Sequence, residues 1–140
     1  MALSPLSVAP STPGQANAQQ FAELRREIAQ IQRTGLPAVE PFTAPTLTGG
    51  WLDFGSGANP AGYCIDLMGF VHLRGKIKSG AISSACFTLP EGYRPAYLET
   101  FAVASNGAYG QVTVSAAGVV TPTVGSTTWL SLDGITFRKA

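Results

Sequence analysis

The amino-acid sequence predicts a mainly β protein. Residues 46–140 read as a jelly-roll-like antiparallel β-sandwich domain. Ahead of it come an extended N-terminal anchoring arm (1–16), a short trimeric coiled-coil helix (17–34) and a Pro-rich linker (35–45). Three observations predict this. Gly and Pro number 16 and 10 in 140 residues, well above the ~12% of ordinary usage. Charged residues are only 12% of the chain while apolar ones are 45%, so there is material for a core of short strands joined by many turns. Helical spacing of apolar residues occurs in one stretch, and period-two spacing fills the rest.

The arm, MALSPLSVAPSTPGQA, is small, uncharged and broken by Pro5, Pro10 and Pro13, which oppose both helix and ladder pairing. It buries too little to order itself, and is expected to be a disordered tail or an arm that orders on a partner. Met1 to Pro10 lacks the charged and apolar regions of a secretory signal. In the helix, Asn17 is the expected cap with Gln20 as its reciprocal partner, and Gly35 and Pro37 are the expected stop. Phe21, Leu24, Ile28 and Ile31 fall at spacings of 3, 4 and 3, a narrow heptad seam. Isoleucine at both kinds of seam position favours three or more strands. Two heptads are marginal alone, so the following domain must associate as well. The competing reading is an amphipathic helix packed on its own domain; the linker GLPAVEPFTAP, read as an extended spacer, speaks against it.

The β zone predicts eight strands near 47–54, 62–68, 70–78, 81–89, 97–105, 108–115, 118–124 and 128–138. Val71, Leu73 and Ile77 alternate with Phe70, His72, Arg74, Lys76 and Lys78. Tyr63, Ile65 and Leu67 alternate with Cys64, Asp66 and Met68 in the same way, as do Val112 and Val114 with Gln111 and Thr113, and Leu130 and Leu132 with Trp129 and Ser131. Asn106-Gly107 and Asp133-Gly134 are strong hairpin signals.

The same residues exclude several functions. Nine basic and eight acidic residues leave a net charge of +1, with no basic field for nucleic acid. One His and two Cys cannot supply a four-ligand zinc site, no cofactor is implied, and no apolar run is long enough for membrane insertion. Cys64 and Cys86 read as buried free thiols, with a bridge between them left open. His72, on the polar side of a strand, reads as an exposed histidine or a contact at a trimer axis or ligand. No nucleophile elbow, phosphate loop or selected carboxylate pair is present, so no catalytic residue is assigned and the chain is expected not to be an enzyme.

Aromatic rings are the remaining binding candidates: Trp129, Tyr109, Tyr97 and Tyr93, at the ligand-facing or inter-subunit surface. Trp129 is out of phase with Leu130 and Leu132 and is the leading choice for an exposed or inter-subunit ring. Tyr93 is also read structurally, packing its ring in the Pro90–Pro95 turn and wetting its hydroxyl. Trp51 is expected in the core or an interface.

Six segments in order carry a family resemblance: LTGGWL (47–52), GFVHLRG (69–75), FTLPEGYRP (87–95), SNGAYG (105–110), VTVSAAGVV (112–120) and LSLDGITF (130–137). Together they resemble the C-terminal domain of a family of small bacteriophage fibre and tail proteins. The resemblance implies a trimer behind a coiled coil at the surface of a phage particle, assembled in the bacterial cytoplasm. The expected function is a short virion fibre, a homotrimer held to another virion structural protein through residues 1–16. Its β domain would be displayed for attachment to a host surface glycan. The chain is short for a tail fibre and shows no baseplate-attachment domain, so a head fibre or capsid decoration protein docking on capsomers is the alternative. A glycan-degrading enzyme is the alternative of another class, disfavoured because ~95 residues of β structure leave little room for a long groove.

Overall fold

In a computed structural model of the chain, residues 13–34 and 40–140 are described, with the helix side chains described at 17–30 and 32. Most of the predicted arm, the expected stop at Gly35 and Pro37, and the Ile31 side chain lie outside the described residues. The chain divides into two units, 1–38 and 39–140.

Helix α1 runs Pro13–Thr34, a full turn earlier than its expected Asn17 cap. Asn17 lies inside the helix and exposed. Proline suits a helix start, because its fixed φ is already helical and its missing N–H would have no partner there. The last four residues of the predicted arm are therefore helical. Of the seam, Phe21, Leu24 and Ile28 are 60%, 47% and 53% exposed.

The β unit holds ten strands, all paired antiparallel. Strands β1 (Leu52–Asp53), β4 (Lys76–Lys78) and β9 (Leu130–Ser131) form one sheet in the order β1-β4-β9. Strands β2 (Gly62–Ile65), β3 (Phe70–Arg74) and β10 (Thr136–Arg138) form a second, ordered β10-β3-β2. Strands β5 (Phe87–Thr88), β6 (Glu99–Ser105), β7 (Ala108–Val114) and β8 (Val119–Val124) form the third, ordered β5-β8-β7-β6. One core lies between them, built from Trp51, Val71, Leu73, Ile77, Phe87, Leu89, Val112, Val114, Val120, Leu130 and Leu132, all essentially buried. Most of the expected inward residues are there, because side-chain alternation fixes which face each strand buries.

Strand boundaries differ where glycines and side-chain caps intervene. The expected strand 70–78 breaks at Gly75, whose φ of +118° would strain any side chain. A Cβ at Gly75 would also collide with the Ala61 backbone. The break hands β3 and β4 to different sheets. Strand 47–54 shrinks to two residues because Gly49 and Gly50 turn at positive φ. Strand 62–68 stops at Ile65. The Asp66 carboxylate accepts from the Met68 and Phe70 amides at 2.8 and 3.0 Å and folds residues 66–69 into a turn. Leu67 is thus exposed, while on β2 Gly62 and Cys64 are buried and Tyr63 and Ile65 are half-buried against the core. A turn at 81–84 leaves only Phe87–Thr88 of strand 81–89, and the Asp133-Gly134 turn divides 128–138 into β9 and β10.

The Asn106-Gly107 hairpin forms as expected, both residues at positive φ, and Ser105 pairs with Ala108. Pro122 sits inside β8 at a register shift opposite Gln111 and Val112, where a missing donor is tolerated. Both cysteines are buried free thiols.

The second half of the linker is not a free spacer. Thr43 pairs with Tyr63 through bonds of 2.8 and 3.0 Å. The Glu40 carboxylate accepts from the Ile65 amide at 2.9 Å. The Arg74 guanidinium lies 4.0 Å above the Phe42 ring. Residues 40–45 thereby pack on the sheet β10-β3-β2.

Candidate functional site

On β4, Ile77 points into the core, so Lys76 and Lys78 must point outward. Their ammonium groups lie over aromatic rings from neighbouring segments. The Lys76 ammonium is 4.2 Å from the Trp129 ring centroid and 5.0 Å from that of Phe54. The Lys78 ammonium is 5.6 Å from the Phe54 centroid. Each such contact contributes about 0.5–1 kcal/mol at an exposed site. Among the described residues, the ion pair present is His72–Asp66, so neither lysine is held by a carboxylate. The result is two cations lying over ring faces without a carboxylate in ion-pair contact among the described residues. The lysines can meet an anionic group, whereas the ring faces beneath them are already covered.

Trp129, expected to be exposed or inter-subunit, is half-buried with Lys76 across its ring. Its carbonyl accepts from the Ser105 hydroxyl at 3.0 Å, which ties the 125–129 loop to the hairpin between β6 and β7. Phe54 and the two lysines were not singled out by sequence. Their partnership depends on β1, β4 and β9 meeting in one sheet.

The other three aromatic candidates do not join this cluster. The Tyr93 hydroxyl, expected to be wet, donates to both Glu40 carboxylate oxygens at 2.9 and 3.1 Å. That bond to a carboxylate pushes the Tyr93 hydroxyl pKa up. Its ring stands edge-on to Tyr63, centroids 5.1 Å apart. Tyr93 is thus a clasp on residue 40. Tyr109 and Tyr97 are 59% and 82% exposed. The β6–β7 ladder runs from Glu99↔Val114 to Ser105↔Ala108. Six residues at ~3.3 Å put Glu99, the β6 residue two positions after Tyr97, about 20 Å from the hairpin end, where Tyr109 and Trp129 lie.

An open cleft of about 440 Å³ lies beside the clasp, lined by Tyr63, Thr46, Thr48, Thr88, Arg94 and neighbouring prolines. The Arg94 Nε donates to the Leu89 carbonyl at 2.8 Å, which fixes the guanidinium plane at the cleft. Sequence reasoning missed it because residues 44–48 read as linker and strand.

His72, read as an exposed strand histidine, is partly buried and doubly bonded. Its Nε2 is 2.8 Å from Asp66 Oδ2 and its Nδ1 is 3.0 Å from the Thr136 hydroxyl. The bond to His72, followed by the amide donors, holds the Asp66 carboxyl below its ordinary range. This row runs from the β2–β3 turn across β3 to β10 and holds that turn in place. Among the described residues, no group of three or more His, Cys, Asp or Glu side chains is placed to hold a metal ion. No described helix is long and apolar enough to cross a membrane.

No family model matches this chain, and no curated protein matches it. A solved structure does: the crystal structure of the receptor binding protein (gp15) of Listeria phage PSA. The match covers 100% of this chain and 89% of that one, with a TM-score of 0.67 and 19% identity. A likeness of that kind is a likeness of fold, and the chain shares the fold of a phage receptor binding protein.

Proposed function

We propose that the protein is a phage virion component that binds the host surface: a short homotrimeric fibre whose β unit is displayed and whose residues 1–16 dock on another virion structural protein. The observation that carries this reading is the fold shared end to end with a phage receptor binding protein. The exposed stripe of Phe21, Leu24 and Ile28 supports the coiled coil, since a lone chain leaves these side chains in water. The finer architecture follows the jelly-roll-like reading. The ligand-facing surface is the cluster of Trp129, Phe54, Lys76 and Lys78, whose chemistry suits a surface glycan carrying negative charge. The role is adhesion without catalysis or cofactor, in a particle assembled in the bacterial cytoplasm.

Gold-labelled antibody on intact particles, paired with binding of the purified fluorescent protein to host cells, tests this. Label at the tail tip and saturable cell binding are expected. Label confined to the capsid would instead make the arm a capsomer anchor and the protein a head fibre or decoration. Particles without label would end the virion reading.

A further inference from the structure

The outward face of the four-stranded sheet carries no charge. Strand β6 turns Thr100, Ala102 and Ala104 outward, and β7 turns Tyr109, Gln111 and Thr113 outward beside them. Across β8 and β5 the face continues in threonines and Val119. Not one of these positions is Asp, Glu, Lys, Arg or His. A sheet face left in water normally carries charged side chains, and removing charge from water is what makes an interface expensive.

Three polar side chains at the centre of this face, Tyr109, Gln111 and Thr123, satisfy one another. The Tyr109 hydroxyl donates to the Gln111 side-chain oxygen at 3.0 Å. The Gln111 amide donates to the Thr123 hydroxyl at 2.9 Å, and that hydroxyl donates to the Gln111 carbonyl at 3.2 Å. Covering this central row orphans none of its three side chains, and the small threonine hydroxyls around it are left to bond across the interface. The edge points the same way. Strand β6 borders the sheet with seven residues and has neither proline nor lysine; Glu99 is its one charge, and its Ser105 end is covered by the 125–129 loop.

We infer that this face is buried against the same face of other copies of the chain. A second copy offers the uncharged surface that a charge-free face needs. The helix of the same chain exposes an apolar stripe with the same requirement, and one closed symmetric assembly covers both. The inference rests on the proposed homotrimer and names the surface through which its β units meet.

The test uses the full chain in four forms: wild type, Gln111→Lys/Thr113→Lys on the face, Ile28→Asn/Ile31→Asn on the seam, and all four substitutions. Light scattering gives the mass at micromolar concentration. Nitration by tetranitromethane, followed by peptide mass spectrometry, gives the reactivity of Tyr109. A trimeric wild type is expected, with Tyr109 nitrated at least about tenfold more slowly than N-acetyltyrosinamide, a protection worth about 1.4 kcal/mol. The face variant should lose mass on dilution and melt at lower temperature, and the quadruple variant should be a single chain with Tyr109 reactive. A trimer in which Tyr109 reacts like the free amide, or in which the face variant keeps its mass and melting temperature, overturns the inference and leaves the trimer standing. A wild type of single-chain mass overturns both. If the lysine pair prevents folding, the nitration rate in the wild type alone decides the matter.

Discussion

Trp51 shows how one residue organises its surroundings. Its side chain is 1% exposed, and its indole N–H donates to the Ser84 carbonyl at 3.3 Å. Gly80 lies so close that a Cβ there would enter the indole ring. Trp51→Ala should cost about 3–5 kcal/mol by chemical denaturation, through lost burial and the cavity left behind. The cysteines test burial in another way. Burial pushes the Cys86 thiol up to about 12 and raises that of Cys64. Thiolate is the reactive form, so iodoacetamide at pH 8 should modify neither in the native protein and both after unfolding. Rapid native alkylation of Cys86 would contradict its place in the core. Asp66 sets an acid limit. Its carboxyl is held below the ordinary value of 3.8 chiefly by the bond to His72. A depressed carboxylate stabilises the fold above its unfolded pKa, and the benefit disappears as pH falls through the folded value. Asp66→Asn should therefore flatten the loss of melting temperature below about pH 4. An unchanged acid limb would mean that the turn does not depend on this charge.

At the scale of elements, the decisive features are junctions. Gly75 passes the chain from one sheet to another, and its amide donates to the Asp133 carboxylate at 2.8 Å. The same Asp133 begins the turn between β9 and β10, so one carboxylate ties two junctions. Gly75→Ala should destabilise by more than the ~1 kcal/mol by which the same change stabilises at a compatible site, since both its φ and the nearby Ala61 backbone oppose a side chain. The helix stands under a different rule. In the proposed trimer, each asparagine of Ile28→Asn/Ile31→Asn would bury an unpaired amide at a cost of about 1–3 kcal/mol, repeated in every chain. The melting temperature should fall and become more dependent on concentration, and an unaltered melt would show that the seam is not an interface.

For the whole molecule, attachment through the lysine–aromatic cluster makes a salt-dependent prediction. Lys76→Ala/Lys78→Ala should weaken binding to host cells by about tenfold or more at low salt, with a smaller effect at high salt where charges are screened. Trp129→Ala should weaken it at both. Cell binding unaffected by either change would move the ligand elsewhere, with the cleft at Tyr63 and Arg94 as the next surface to mutate.

The β class was legible in the sequence because alternation is local. Val71, Leu73, Val112, Val114, Leu130 and Leu132 each declare their face through their immediate neighbours, and Asn106-Gly107 declares its turn. The helix was legible for the same reason, apart from its start, where a proline read as a breaker is the first helical residue. Contacts between distant segments were not legible. Glu40 meets Tyr93 across 53 positions, Asp133 meets Gly75 across 58, and Phe54 and Trp129 converge on Lys76 from separate strands. Alternation says which way a side chain points, not which strand lies beside it. The sequence alone thus determined a sparsely charged, turn-rich β chain behind a helix with an apolar stripe. Only the tertiary structure decided that part of the linker belongs to a sheet, that Tyr93 is a clasp, and that the candidate site holds two lysines over two rings, because sheet order is set by packing among segments far apart in sequence.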